Sequence, residues 1–281
     1  MSRTPTLLLA VLALLAFAGN SLLCRLALKH TGIDPASFTS VRILSGALTL
    51  WLITRSRSRS ASGAGNWPSA LALFVYAAAF SYAYVSLPAA TGALLLFGAV
   101  QATMIGYGLW LGERLLVRQW LGLLCAFAGL AGLLLPGLSA PPALGAALML
   151  GAGVAWGVYS LRGKAAGDPT RVTSGNFLRA APMAALLSLL TVRWSAVDLA
   201  GLGYALASGA LASGVGYAIW YSALRGLKAT SAATLQLSVP VLAALGGIVF
   251  LGETVTGRLL LASATILGGI ALVMARPAAP K

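Results

Sequence analysis

Long apolar runs separated by short polar or basic stretches recur along the whole chain. They cover residues 6–28, 35–54, 68–87, 91–111, 119–135, 143–161, 172–192, 199–224, 229–251 and 258–275. A helix needs about 20 apolar residues to cross a bilayer, and most of these runs match that length. Apolar and polar positions do not alternate with period two, which disfavours a membrane barrel. The pattern predicts an all-α polytopic membrane protein with ten transmembrane helices.

The pattern also occurs twice. In the stretch from Leu94 to Leu135 and the stretch from Thr234 to Ala275, Gly106 falls on Gly246 and Gly129 on Gly269. Leu111-Gly112-Glu113 falls on Leu251-Gly252-Glu253, and Arg118 on Arg258. Apolar segments share Leu, Ala and Gly by chance, but the whole chain has only 5 acidic residues. A matched Glu and Arg therefore point to duplication. The echo continues upstream: Ala16-Phe17 with Asn20-Ser21 resembles Ala155-Trp156 with Tyr159-Ser160, and Arg42 matches Arg179. The expected halves are residues 1–138 and 139–281. Each holds five spans, an odd number, so the second enters the membrane from the opposite side. Inverted repeats let one pattern build an inward-open and an outward-open shape around a midplane site. That is the physical argument for a transporter.

Composition agrees with lipid as the solvent. The chain is 59% hydrophobic and 9% charged, where soluble proteins carry about 25% charged residues. The net charge of +14 does not point to nucleic acid, because the basic residues lie between apolar runs and fit the positive-inside rule. With the N-terminus inside, Arg3, Arg55, Arg57, Arg59, Arg114, Arg118, Arg162, Lys164, Arg171, Arg225, Lys228, Arg276 and Lys281 all face the cytoplasm. Only Arg25, Lys29, Arg193 and Arg258 face outward. Both termini are expected in the cytoplasm. Arg3, the following apolar core and Ala16-Phe17-Ala18 resemble a signal peptide, but the run continues to Leu28 and has a counterpart in the second half. Cys24 and Cys125 sit in apolar runs and read as packing residues. His30 stands without a cysteine or carboxylate cluster, so no metal site and no cofactor is expected.

Asp34, Glu113, Asp168, Asp198 and Glu253 all fall at span ends or in loops. Ion-coupled carriers place a carboxylate within the membrane; its lack favours facilitated diffusion. Glu113 and Glu253 precede Arg118 and Arg258 by five residues. They read either as gates, one per face, or as hairpin salt bridges, with the bridges favoured. Arg42 and Arg179 fall inside apolar spans, where an unpaired charge is costly. Asp34 and Asp168 are their expected partners; attraction of a substrate carboxylate is the other reading.

Aromatic and amide residues are the best site candidates. The third span carries Tyr76, Phe80, Tyr82 and Tyr84, and the fourth Phe97, Gln101 and Met104. The sixth carries Trp156 and Tyr159, and the eighth Tyr217, Trp220 and Tyr221. Gln236, Ser238 and Pro240 lie in the ninth, and Asn20 in the first. Aromatic residues at span ends often serve as interface anchors, whereas a buried amide needs hydrogen-bond partners. Aromatic walls with a few amides suit a neutral, partly apolar solute. Pro240 opens the backbone ladder of its helix, freeing carbonyls for a solute or a hinge.

Two five-helix repeats, the A-F-x-G-N and A-W-G starts, Arg42 and Arg179, and the paired L-G-E motifs together resemble the EamA family of the drug/metabolite transporter superfamily. The resemblance covers essentially the whole chain. It implies a bacterial inner-membrane carrier of a small metabolite, often an exporter and not an enzyme, with similarity to exporters of aromatic and other neutral amino acids. A sugar, nucleoside or drug carrier and a proton-coupled exporter remain alternatives. A membrane-embedded enzyme needs paired carboxylates or a nucleophile with a base, which the chain lacks. A duplication within one chain allows the monomer to be complete.

Overall fold

The computed structural model describes residues 3–55, 64–112, 114–135, 137, 140–163, 168–191, 198–224 and 235–274. Among these, the chain forms ten helical rods and no strand. The first half contains α1 (Arg3–His30), α2 (Pro35–Arg55), α3 (Trp67–Tyr84), α4 (Ala89–Trp110) and α5 (Val117–Leu134). In the second half, α6 (Ala143–Gly163) and α7 (Pro169–Thr191) precede α8. The α8 rod runs through Leu199–Ala207, a π-helical stretch Ser208–Val215, and Gly216–Leu224. Then come α9 (Ser238–Leu251) and α10 (Gly257–Met274). Six rods are long and apolar enough to cross a membrane by themselves, and α9 and α10 are shorter apolar helices. The other two, α3 and α7, complete the ten. The first part of the expected ninth span, residues 229–234, lies outside the described residues.

Local chemistry accounts for the ends. The Asn66 side chain caps α3 by accepting from the Ser69 amide at 2.9 Å, with Pro68 in the first turn. Asp34 Oδ1 accepts from the Ala36 and Ser37 amides to start α2. Asp168 Oδ1 does the same at Thr170 and Arg171 to start α7. The two L-G-E glycines share one conformation: φ is 88° at Gly112 and 61° at Gly252. Both sit in the left-handed region where a glycine ends a helix without strain. The repeated glycine is therefore a repeated helix stop.

The helices of the two halves interlock. α2 packs on α7, α4 on α9, and α5 on α10. α3 lies against α6, and α8 against α1 in the matching way. Exchanging the halves maps this set of contacts onto itself, as a two-fold relation between duplicated halves requires. The α5–α10 crossing brings Gly122 against Gly269. A methyl group on either glycine would run into the other's backbone, the small-residue contact typical of membrane helices. Leu7, Leu8, Leu48, Leu189, Leu190, Phe250 and Leu261 point outward and are half or more exposed. Such a surface is tolerable only against lipid.

Candidate functional site

Both halves contribute to one cavity inside the bundle. Its walls are Phe17, Asn20 and Ser21 from α1, Tyr76 and Phe80 from α3, and Leu96 and Phe97 from α4. The second half adds Trp156 from α6, Ala212 and Tyr217 from α8, and Gln236 just before α9. The walls stand close together and leave free room for about one water molecule. Tyr76 and Phe80 are one helical turn apart and so share a face. Trp156 packs 4.8 Å from Tyr76 and 5.3 Å from Tyr217, centroid to centroid. Phe17 meets Tyr217 edge-on at 5.8 Å. The walls are therefore aromatic from both halves, and Asn20 and Gln236 supply amides.

The π-helical stretch of α8 orients the polar groups behind the walls. Ser208 Oγ donates to Asn20 Oδ1 at 2.6 Å, which leaves the Asn20 amide nitrogen to face other partners. Ser213 Oγ accepts from Arg42 Nε at 3.2 Å. An extra residue in the turn re-aims neighbouring side chains, and such turns gather at functional sites.

Arg42 lies fully buried directly behind the Tyr76–Phe80 wall. Its guanidinium carbon is 5.2 Å from the Tyr76 ring centroid and 5.0 Å from that of Phe80. Nη2 donates to the Tyr76 hydroxyl at 3.1 Å, and Nη1 has no hydrogen-bond partner. The expected pairing with Asp34 does not occur, because Asp34 is used at its own helix start. Arg179 likewise does not meet Asp168. It donates to the backbone oxygens of Gly175, at 2.9 Å, and Ala64. Each carboxylate, eight or eleven residues before its arginine, is taken by the amides of its own helix start.

The favoured hairpin bridge of Glu253 to Arg258 is also corrected. Glu253 Oε1 lies 3.4 Å from Arg25 Nε, and Oε2 accepts from the Ala89 amide at 2.8 Å. Arg25 Nη1 in turn donates to the carbonyls of Tyr84 and Val85. Arg258 reaches the Leu135 carbonyl instead. One carboxylate thus ties the end of α1, the α3–α4 turn and the end of α9. Beneath this tie, Tyr84 is wholly buried and stacks edge-on against Phe80 at 4.7 Å. That end of the cavity is closed. Glu113, the other expected gate, lies outside the described residues.

The remaining candidates fall elsewhere. Tyr159 is buried behind Trp156 at 5.4 Å, bonded to Thr173 and Asn176. Trp220 packs on Phe17 at 5.8 Å. Tyr82 is half-buried and does not line the cavity. Gln101 is buried on α4 but faces a separate groove with Phe127, Ile266 and Ile270. Ser238 Oγ donates to the Leu235 carbonyl, closing the turn before α9. Helical backbone is interrupted at Leu237. Pro240 has no amide hydrogen to offer the Gln236 carbonyl, so the break falls beside a cavity-lining residue. Phe17, Ser21, Leu96 and Ala212 complete the lining and were not foreseen. Phe17 had a signal: it is the duplicate of Trp156.

Fold and site define a multi-pass helical membrane protein of two matching halves that meet at an internal aromatic cavity. The model of the EamA-like transporter family matches the chain twice, over residues 4–135 and 143–275. The chain belongs to that family, whose members are transporters and not enzymes. An uncharacterized protein of Pseudomonas aeruginosa is 61% identical over 276 residues, covering 98% of this chain and 96% of that one. The threonine/homoserine exporter RhtA of Escherichia coli K12 is 38% identical over 130 residues, which is 44% of this chain and 42% of that protein. A crystal structure 23% identical in sequence superimposes with a TM-score of 0.67, covering 97% of this chain and 98% of that one. It supports the fold.

Proposed function

We propose that this chain exports neutral amino acids across the bacterial inner membrane by facilitated diffusion. Both termini lie in the cytoplasm in this reading, and the halves divide near residue 138. The observation that carries it is the cavity itself: aromatic walls from both halves, two amides, and no carboxylate among its lining residues. Aromatic and amide groups suit a solute without net charge, and a carrier coupled to protons needs a membrane carboxylate to load and release them. The name of the partly matching RhtA supports an amino acid as cargo. Trp156, Tyr76, Tyr217 and Phe17 form the walls, with Asn20 and Gln236 as hydrogen-bonding groups. Glu253 with Arg25 holds the outer gate shut, and Pro240 provides the hinge next to Gln236. Glu113 is assigned to the inner gate from the duplication alone. One chain holds both halves of the cavity, so a monomer suffices.

The test is efflux from cells fed dipeptides, which raise internal amino acids. Cells that express the chain should hold lower internal threonine, homoserine or phenylalanine and release more of it than cells without it. Equal internal pools for every neutral amino acid offered would overturn the reading.

A further inference from the structure

Arg42 poses an electrostatic problem that the protein alone does not solve. The side chain is 2% exposed in the interior of the bundle. Its contacts are two hydroxyls and two aromatic rings, and the one ion pair among the described residues, Arg25 with Glu253, lies elsewhere. A buried cation is expensive unless paired. Nη1 is a buried donor without an acceptor, and such a group costs its full desolvation. Two of the four groups that hold the guanidinium, Tyr76 and Phe80, are themselves cavity wall. A third, Ser213, follows the cavity-lining Ala212.

We propose that Arg42 is the anchor for the carboxylate of the transported solute, so that the cargo must carry a carboxylate, with an amino group optional. This rests on the transporter reading and deepens it. A carboxylate that reaches past the Tyr76 and Phe80 rings supplies the missing acceptor for Nη1 and the missing counter-charge. Charge-assisted bonds of this kind are about twice as strong as neutral ones. The rings of Trp156 and Tyr217, with the amide nitrogen of Asn20 and the Gln236 side chain, then face the remainder of the solute. When present, an ammonium group is stabilised there by the aromatic faces. The Tyr76 hydroxyl fixes the fork through Nη2 and leaves Nη1 free.

The experiment measures binding, so it does not depend on flux. Purified full-length protein in nanodiscs is titrated by calorimetry with matched probes. Threonine and phenylalanine carry both groups. Threoninamide and phenylalaninamide lack the carboxylate, and 3-hydroxybutyrate and 3-phenylpropionate lack the amine. The expected result is that at least one acid of each type binds, and that its amide binds at least about tenfold more weakly, the scale of losing a buried charged bond. Arg42→Gln should bring acid and amide to the same weak affinity, and Tyr76→Phe should narrow the gap while keeping the fold. Binding of an amide as tightly as its acid overturns the proposal without any mutant. So does an unchanged preference in a folded Arg42→Gln protein, or failure of every carboxylate to bind. If deaminated acids bind while no amino acid is exported from cells, the anchor stands and the amino-acid reading falls.

Discussion

Arg25 Nε stands 3.4 Å from Glu253 Oε1, joining the first helix to the turn after the ninth across 228 positions of sequence. Both side chains are about nine-tenths buried, and the same carboxylate also holds the Ala89 amide. The pair is therefore shielded from the solvent screening that makes surface bridges weak.

Replacing Glu253 by Gln keeps the shape and removes the charge. Losing a charged hydrogen bond costs about 1–3 kcal/mol, and about 1.4 kcal/mol is a factor of ten. In the proposed orientation this closed end faces outward, and it should open roughly tenfold more often. Cys24, wholly buried beside Arg25, reports on it: in a Cys125→Ala background, labelling by a membrane-impermeant maleimide from outside should accelerate. An unchanged rate would remove Glu253 from the gate.

The α5–α10 crossing gives a stability prediction. Gly122→Ala drives a methyl into the Gly269 carbonyl and Val273. Overpacking of this kind costs about 1–3 kcal/mol. Gly132→Ala, where nothing lies within 4 Å, should be neutral. Melting in detergent should fall for the first and hold for the second.

These contacts show what the sequence can and cannot carry. Helices were legible because each needs only its own apolar run, and the repeated L-G-E already marked Gly112 and Gly252 as equivalent. Observed ends lie within about three residues of the expected ones wherever both are described. Of the cavity, Asn20, Tyr76, Phe80, Phe97, Trp156, Tyr217 and Gln236 were singled out and do meet around one space. Gln101 was not separable from them, because a buried amide on α4 reads alike whether it faces α6 or α10. The partners of Arg42 and Glu253 were misjudged for a different reason. Sequence proximity favoured Asp34 and Arg258, but helix-start amides claim Asp34 and the interlocking of halves delivers Arg25. Such partners are fixed by tertiary packing, which no local spacing encodes.

Trp156 touches Tyr76, Tyr159 and Tyr217. Trp156→Phe keeps an aromatic and shortens the wall. Each aromatic pair is worth about 0.5–1.5 kcal/mol, so KM for the transported amino acid should rise by up to about tenfold, with melting little changed. Equal KM in a folded variant would place the solute elsewhere.

Acid stability should depend on Asp198. Its carboxylate accepts from the Gly201 amide at 2.6 Å and the Gly32 amide at 3.0 Å, tying the start of α8 to the α1–α2 loop. The Gly32 bond, then the Gly201 bond, hold its pKa below the ordinary 3.8. A carboxyl depressed in the folded state stabilises above its ordinary value and loses that effect as pH falls through its lower folded value. The wild-type melting temperature should therefore drop as pH falls below about 3.8. Asp198→Asn should melt lower at neutral pH and lose part of that acid dependence.

The most direct measurement is tracer counterflow in proteoliposomes of the purified chain. Vesicles are loaded with unlabelled threonine, homoserine or phenylalanine and diluted into the labelled compound, with and without a protonophore. Facilitated diffusion requires transient accumulation of label for at least one amino acid, unaltered when the proton gradient is collapsed. Accumulation that vanishes with the gradient, or no exchange for any neutral amino acid, would contradict it.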